Sequence, residues 1–479
     1  MVRGNAGSFF LGMRIVMKRL RGRILRLLVK VPEPLRSLLT GSGENGRDGA
    51  GALFSFGIRV GSAVIAFVAQ VLLARWLGAF DFGIYTFVWV WVNVLGSITT
   101  LGLSIAAVRF LAEYATRGDD AHTRGFLNFG RFLTFTAGAI VAALGIAVLY
   151  AFGPRMIDDH YIRPLIIGLL SLPAIAVTDF QDGVGRARSW IAIAFIPPYI
   201  MRPLLILGGI GLILLFGGPR TATVAAIALT AASWLTMTVQ YIIQQRRFGR
   251  ELKDRTVRYR PRQWLSVALP MLLMDSFALL MLNLDVMLLE RFVPPDKIAV
   301  YFAAARTITL IAFIHFAVTA VAMPRFAASY AERDSERAMR QLARFRSWML
   351  WPSLAAATFI LALGKWILAL FGPEFPVAWP LMFILALGYI ARAAAGPAES
   401  MLVVSGHQNY TALITGVAAF VNATLNLALI PHFGLTGAAL ATSIAYTLQA
   451  AFYAIAANRV LAEGFGHAPP PPDGAKERA

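Results

Sequence analysis

The sequence has no cysteine, few charges, and among those charges few acids. Without cysteine in 479 residues, disulfide frameworks, thiolate metal sites and thiol nucleophiles are excluded together, and the redox compartment is left open. Charged residues make up only 14% of the chain and sit in clusters between apolar stretches, which excludes an ordinary soluble surface. Also missing are a Gly-x-x-x-x-Gly-Lys-Ser/Thr phosphate loop, a His-Glu-x-x-His pair and any polar stretch long enough for an ATPase domain. ATP hydrolysis by this chain is therefore not its energy source.

What is present is apolar. Hydrophobic residues reach 58% and the mean hydropathy is +0.66, beyond what a soluble core can hide. At about 20 apolar residues per span, helices are predicted near 52–75, 82–108, 127–150, 164–181, 190–216, 222–243, 264–289, 298–322, 347–370, 377–403, 410–430 and 435–457. The fold class expected is an all-α polytopic membrane protein of about twelve transmembrane helices. The net charge of +19 is then a matter of topology rather than of nucleic-acid binding, because cytoplasmic loops retain Lys and Arg. With the N-terminus inside, the inner tails and loops hold 32 Lys/Arg, the outer loops five and the spans seven. Both termini are thus expected in the cytoplasm.

The ends and the middle carry most of that charge. Residues 1–51 form a basic tail in which 13–31 reads as an amphipathic helix for the anionic inner leaflet, stopped by Pro32 and Pro34 and followed by a Gly-rich linker. It has neither the apolar core nor the cleavage site of a signal peptide. Residues 244–263 form a basic cytoplasmic linker between a six-helix lobe at 52–243 and another at 264–458, and 459–479 reads as a disordered tail containing Pro469 to Pro472.

The two lobes repeat. At an offset of 216 residues, Arg109-Phe-Leu-Ala-Glu-Tyr-Ala-Thr-Arg117 aligns with Arg325-Phe-Ala-Ala-Ser-Tyr-Ala-Glu-Arg333, identical at six of nine positions. The same offset pairs Leu72, Leu73, Arg75 and Tyr85 with Leu288, Leu289, Arg291 and Tyr301. Because each repeat holds an even number of spans, the repeats are parallel about an axis along the membrane normal, the arrangement of two halves rocking around one site.

Leu72-Leu-Ala-Arg-Trp-Leu-Gly-Ala-Phe-Asp-Phe-Gly-Ile-Tyr85, the following Leu101-Gly-Leu103 to Tyr114, and the second copy from Asp285 to Tyr301 and Arg306 resemble the polysaccharide biosynthesis, or O-antigen flippase, family of the multidrug/oligosaccharidyl-lipid/polysaccharide (MOP) superfamily. One departure stands out: the family's Asp is usually followed by a basic residue, whereas Asp285 precedes Val286. The resemblance implies a V-shaped two-lobed transporter with alternating access in the bacterial inner membrane. Its cargo would be an O-antigen or exopolysaccharide repeat unit on a polyprenyl (undecaprenyl-type) pyrophosphate, as in lipopolysaccharide assembly, with a polysaccharide polymerase and a chain-length regulator as partners. The lipid II flippase branch is similar but commonly has two further helices, which this chain lacks.

Charges at a span centre cost about 2.5–3.5 kcal/mol on insertion scales, so the intramembrane polar residues are the candidate site. Arg59, Ser62, Ala66 and Gln70 share one stripe of the first helix, and Asn93, Ser97, Thr100 and Ser104 one stripe of the second. Arg59 and Arg306, with Arg202 and Arg392 second to them, are expected to attract pyrophosphate or acidic sugars, since guanidinium forks fit phosphate and stay charged; structural pairing or snorkelling is the alternative for each. Asp275, beyond Pro270, is expected either to couple transport to an ion or to hold an interhelical bond. Asp285, Asn283 and Glu399 are read as gating or structural groups, and His315 as a packed histidine. No cofactor or metal is expected, and the driving force would be a proton, sodium or the membrane potential. A cation-coupled multidrug or metabolite antiporter of the same superfamily, using Asp275, is the alternative; a non-transporting scaffold for glycan assembly is a third.

Overall fold

A computed structural model describes residues 44–252 and 256–465. The predicted amphipathic helix at 13–31 and the proline-rich tail lie outside the described residues, and so does the side chain of Arg59. Residues from Ser62 onward form one compact unit, and the contacts below belong to it.

The described residues are helical with short connections. The helices are α1 (Glu44–Thr99), α2 (Leu103–Arg117), α3 (Asp120–Met156), α4 (Asp159–Leu169), α5 (Leu172–Ala187), α6 (Ile191–Ile196), α7 (Arg202–Leu215) and α8 (Ala222–Glu251). After the linker come α9 (Pro261–Leu289), α10 (Pro295–Thr309), α11 (Ala312–Ala331), α12 (Ser335–Ala369), α13 (Trp379–Ala395), α14 (Ala398–Val404) and α15 (Gln408–Ala462). Nine helical stretches are long and apolar enough to cross a membrane, and the pair α4 and α5, bent by 48°, makes a tenth. Non-helical glycines divide two of these, Gly78 in α1 and Gly434 in α15, which gives twelve segments among the described residues.

Several spans expected to be continuous are broken. The helix predicted at 82–108 is interrupted at Leu101 and Gly102, both in the left-handed region, and the one predicted at 377–403 ends at Gly396 (φ 68°) before Pro397. The helix predicted at 298–322 divides after Thr309. The fifth span contains a five-residue π turn, Pro197–Met201, where paired prolines withhold two backbone donors. Hydrophobic length does not register such breaks, because the residues on either side remain apolar. At the linker, α8 runs to Glu251, so much of the segment expected as a loop is helix.

The repeated motif folds into the same local structure twice. In the first copy α2 ends at Arg117, Gly118 takes the left-handed conformation, and Asp119 caps α3 by accepting the His122 backbone N–H at 3.1 Å. In the second, α11 ends at Ala331, Arg333 is left-handed (φ 58°), and Asp334 caps α12 by accepting from the Arg337 N–H at 2.7 Å. An acceptor at this position satisfies one of the orphan N–H groups of a helix start. Asp119 also meets His122 Nδ1 at 2.6 Å. Burial works against ionisation of Asp119, but the His122 N–H, its imidazole and the Arg258 charge outweigh it and hold the carboxyl below its usual range. The carboxylate therefore stabilises the fold above its unfolded pKa, and that contribution is lost as pH falls through the folded value. Asp119→Ala is expected to lower stability by about 1 kcal/mol near neutral pH and by less as the medium becomes acid, read by thermal unfolding in detergent.

Candidate functional site

A polar cluster lies inside the second lobe, where α9, α10, α13 and the second half of α15 meet. Asn283 and Asp285, 3% and 4% exposed, come from the outer part of α9. Arg306, near the end of α10, donates through Nη2 to Asn283 Oδ1 at 3.1 Å and lies 4.8 Å from the centroid of the Phe302 ring. Asp285 accepts from the Tyr301 hydroxyl, from the Val286 N–H at 2.8 Å and from Thr442 Oγ1 at 3.4 Å. The two charges thus occupy one cluster without forming an ion pair: hydroxyls and an amide use the carboxylate, and an asparagine and a ring hold the guanidinium. The side-chain partners of Asp285 are Tyr301 and Thr442. Among the described residues no ion pair engages Arg306.

These groups surround a cavity of about 20 Å³, lined by Asn283, Asp285, Phe302, Arg306, Tyr389 and Tyr446 among others. That volume suits about one water molecule, so in this conformation the half-buried Arg306 has little free space beside it. The network continues inward. Tyr389 meets Thr309 Oγ1 at 3.1 Å and packs on Tyr446 at 5.3 Å between centroids, and Arg392 lies 5.7 Å from the Tyr446 ring and 3.7 Å from Glu399. Glu399 sits on α14, just past the break at Gly396, and neutralises Arg392.

In the first lobe Gln70 lines a separate cavity of about 60 Å³ with Tyr85, Thr86, Trp89 and Pro203. Arg202, delivered to the interior by the π turn and 7% exposed, lies 5.3 Å from the Trp89 ring, and its Nε and Nη1 have no hydrogen-bond partner among the described residues. Asn93 spends its donor on the Trp89 carbonyl of its own helix at 2.8 Å. Asp275 is exposed on α9, within electrostatic reach of Arg186. His315 is half-buried in α11, with no hydrogen bond at Nδ1 among the described residues.

Three charged residues missing from the sequence reading join this region: Asp179, Asp182 and Arg186. Arg186 lies 3.3 Å from Asp182 and donates to Ser104 Oγ at 3.2 Å, while Ser104 Oγ donates to the Asp179 carbonyl at 2.7 Å. Their i, i+3 and i+7 spacing is a helical stripe. Asp179 lies inside the predicted span, while Asp182 and Arg186 fall beyond its end at residue 181 although α5 runs to Ala187.

At the end of the bundle that the charge count assigns to the outside, here the outer end, the lobes touch. Arg75 of the first lobe donates to the Leu370 carbonyl and, at 3.0 Å, to that of Ala369, satisfying acceptors left over at the end of α12. Phe82 packs against Phe302 and Phe375, and Phe67 against Phe371, with centroids 5.5–6.4 Å apart. Gly83 lies so close to the second lobe that a Cβ there would be 1.8 Å from the Pro295 carbonyl oxygen. On the same end the Glu290 carboxylate faces the Asp158 N–H at the start of α4. At the opposite end α9 packs on the first lobe through the Trp264 indole N–H, which donates to the Tyr114 hydroxyl at 2.8 Å. Tyr114, one of the repeated residues, is thus a structural anchor.

Residues 49–329, more than half of the chain, match the family described as "Polysaccharide biosynthesis protein". The chain belongs to that family. Residues 270–428 also match the MatE family. An uncharacterized membrane protein of Methanocaldococcus jannaschii is 23% identical over 84% of this chain and 82% of its own length. Among solved structures, an inward-facing multidrug resistance MATE family transporter of the MOP superfamily aligns with a TM-score of 0.70 at 14% identity, over 84% of this chain and 95% of that one. The lipid II flippase MurJ in an inward closed conformation aligns with a TM-score of 0.67 at 12% identity, over 86% and 90%. At such identities the likeness carries the fold, which is that of the MOP superfamily. This polysaccharide biosynthesis family member accordingly has a multi-pass helical fold like that of those transporters.

Proposed function

We propose that this protein flips a polyprenyl-pyrophosphate-linked oligosaccharide from the inner to the outer leaflet of the bacterial inner membrane, with both termini in the cytoplasm. The observation that carries the reading is the half-buried Arg306, cationic and held by a neutral amide and a ring rather than by a carboxylate. A guanidinium inside a membrane that no carboxylate bonds directly keeps its donors available to an anion. Arg202, with two unpaired nitrogens on the facing lobe, supplies a second cation. Arg59 is assigned the same role from its place in the sequence. The family match agrees with a glycan precursor as cargo.

In this mechanism the outer end is closed, by Arg75, the phenylalanine cluster and Glu290. The carrier's head group enters from the inner side and meets Arg202, and separation of the outer ends opens the cluster so that Arg306 takes over the phosphates. Asp285 stays hydrogen-bonded to Tyr301 and Thr442, and Arg392 stays paired with Glu399. Asp275 and Arg186, facing one another across the lobes, are the groups through which a proton, a sodium ion or the membrane potential would bias the cycle.

The MatE match over 270–428 favours one other reading, a cation-coupled antiporter using the exposed Asp275. Reconstituted vesicles separate the two. Translocation of a lipid-linked glycan that fails in Arg306→Ala and survives Asp275→Asn with reduced coupling supports the flippase. Drug-driven proton movement that survives Arg306→Ala and fails in Asp275→Asn supports the antiporter and ends the proposal.

The outer closure has a pH dependence. Burial pushes the Glu290 carboxyl up; the Asp158 N–H opposes this, Asp158's own charge adds to it, and Arg291 opposes it. Opening returns the group to water and to an ordinary pKa near 4.3, so closure takes up a proton and opening releases one. Acid therefore favours the closed state, from the raised pKa down to the ordinary one, and alkali favours opening. Glu290→Gln, which mimics the protonated form, is expected to hold the outer end closed and flatten this dependence, as read by the distance between spin labels across the outer end at several pH values.

A further inference from the structure

Arg109 opens the repeated motif, and the mechanism above leaves it unused. Its partner in the second copy, Arg325, lies against the Phe345 ring at 5.7 Å. Arg109 is exposed and makes no hydrogen bond or ion pair among the described residues. It lines a groove of about 830 Å³ that runs between α9 and the first half of α15. Pro270, Leu273 and Phe277 form one wall and Leu413, Val417 and Phe420 the other, while Ser266, Gln408 and Asn409 lie toward the Arg109 end.

The direction of the groove follows from helical geometry. Ala268 and Leu272 of α9 touch Gly102 of the first lobe. Pro270, Leu273 and Phe277 lie on roughly the opposite side of the same helix, at 100° per residue. The groove therefore lies on the side of α9 turned from the Gly102 contact, with Arg109 of the first lobe reaching one end of it and Leu273, Leu413 and Phe420 from 56% to 72% exposed. An apolar trough with one cation and a few amides at a single end complements a molecule of the same polarity: one long hydrocarbon chain with an anionic head. Its volume falls within the range of specific ligand sites. Met271 and Met274 in the wall let it adapt to a branched chain.

We propose that this groove seats the polyprenyl chain of the cargo, with Arg109 on the carrier phosphate, as the loading site that precedes entry of the head group. The inference rests on the flippase reading and adds where the tail lies while the head crosses. Phosphate binding is shared between Arg109 and the amides of Gln408 and Asn409, and the chain remains on the lipid side throughout.

The test uses the full-length protein in nanodiscs and a polyprenyl monophosphate carrying a photoreactive group, with phosphatidylglycerol as competitor. Labelling is expected to map to 408–420 and to resist an equal amount of phosphatidylglycerol. Arg109→Gln should weaken it about tenfold, the scale of one charge-assisted contact, with recovery in Arg109→Lys and no effect on a polyprenol lacking phosphate. Leu413→Trp, at an exposed position that fills the trough without entering the core, should weaken both probes. Strong binding by the parent protein that all these variants retain would overturn the groove and leave the flippase reading standing. Binding by the parent no better than that of phosphatidylglycerol would remove the carrier itself, and the flippase reading with it.

Discussion

Gly83→Ala is expected to hold the outer end apart and stop transport while leaving each lobe folded. A Cβ at this position would stand 1.8 Å from the Pro295 carbonyl oxygen, and a backbone atom cannot move aside as a side-chain tip does. Overpacking of this kind costs about 1–3 kcal/mol, and on a balance between two conformations that is a shift of about 5–150-fold toward the open one. The chain has no cysteine, so a Phe80→Cys and Val377→Cys pair reports on the outer end without background. Spin labels there should show a short distance in the parent and a longer, broader one in Gly83→Ala, and translocation should fall by about fivefold or more. An unchanged distance would mean that the contact at Gly83 yields locally and does not govern closure.

Arg306→Ala carries the second large effect. The guanidinium makes a charge-assisted hydrogen bond to Asn283 and a ring contact with Phe302, and such hydrogen bonds are worth about 1.5–3 kcal/mol each. When the cluster opens, the same cation is available to phosphate oxygens. Its removal should lower translocation by about 10–100-fold, with partial recovery in Arg306→Lys, which keeps the charge but not the fork. Stability should change less than transport, since loss of Arg306 leaves Asp285 still bonded to Tyr301 and Thr442. Asp285→Leu is the contrasting variant: it strips two buried hydroxyls of their acceptor and should act mainly on folding.

The same contrast shows what the sequence made legible. Spacing of apolar residues located the helices, and the 216-residue repeat located a motif that folds alike twice, because Asp119 and Asp334 solve the same capping problem in both lobes. The grouping of Asn283, Asp285 and Arg306 could be anticipated as polar residues on neighbouring helices, but not their bonding. Whether Asp285 takes Arg306 or Tyr301 depends on a few degrees of helix rotation, which periodicity does not resolve. The breaks at Gly102 and Gly396 were invisible to hydropathy, and an end drawn at residue 181 hid Asp182 and Arg186. Arg75 was seen only as a repeated residue, since its partners are backbone carbonyls about 295 positions away and carry no side-chain signature. The groove at Arg109 likewise appears only once α9 and α15 are brought together.

The central claim, that the cargo is a lipid-linked glycan moved outward, is tested most directly by depleting the protein in its host and analysing by mass spectrometry the glycolipids of each leaflet. The account predicts that polyprenyl-pyrophosphate-linked repeat units accumulate on the inner face, and their mass identifies the glycan. Unchanged delivery to the outer leaflet after complete deletion, in a host without a second exporter, would contradict it.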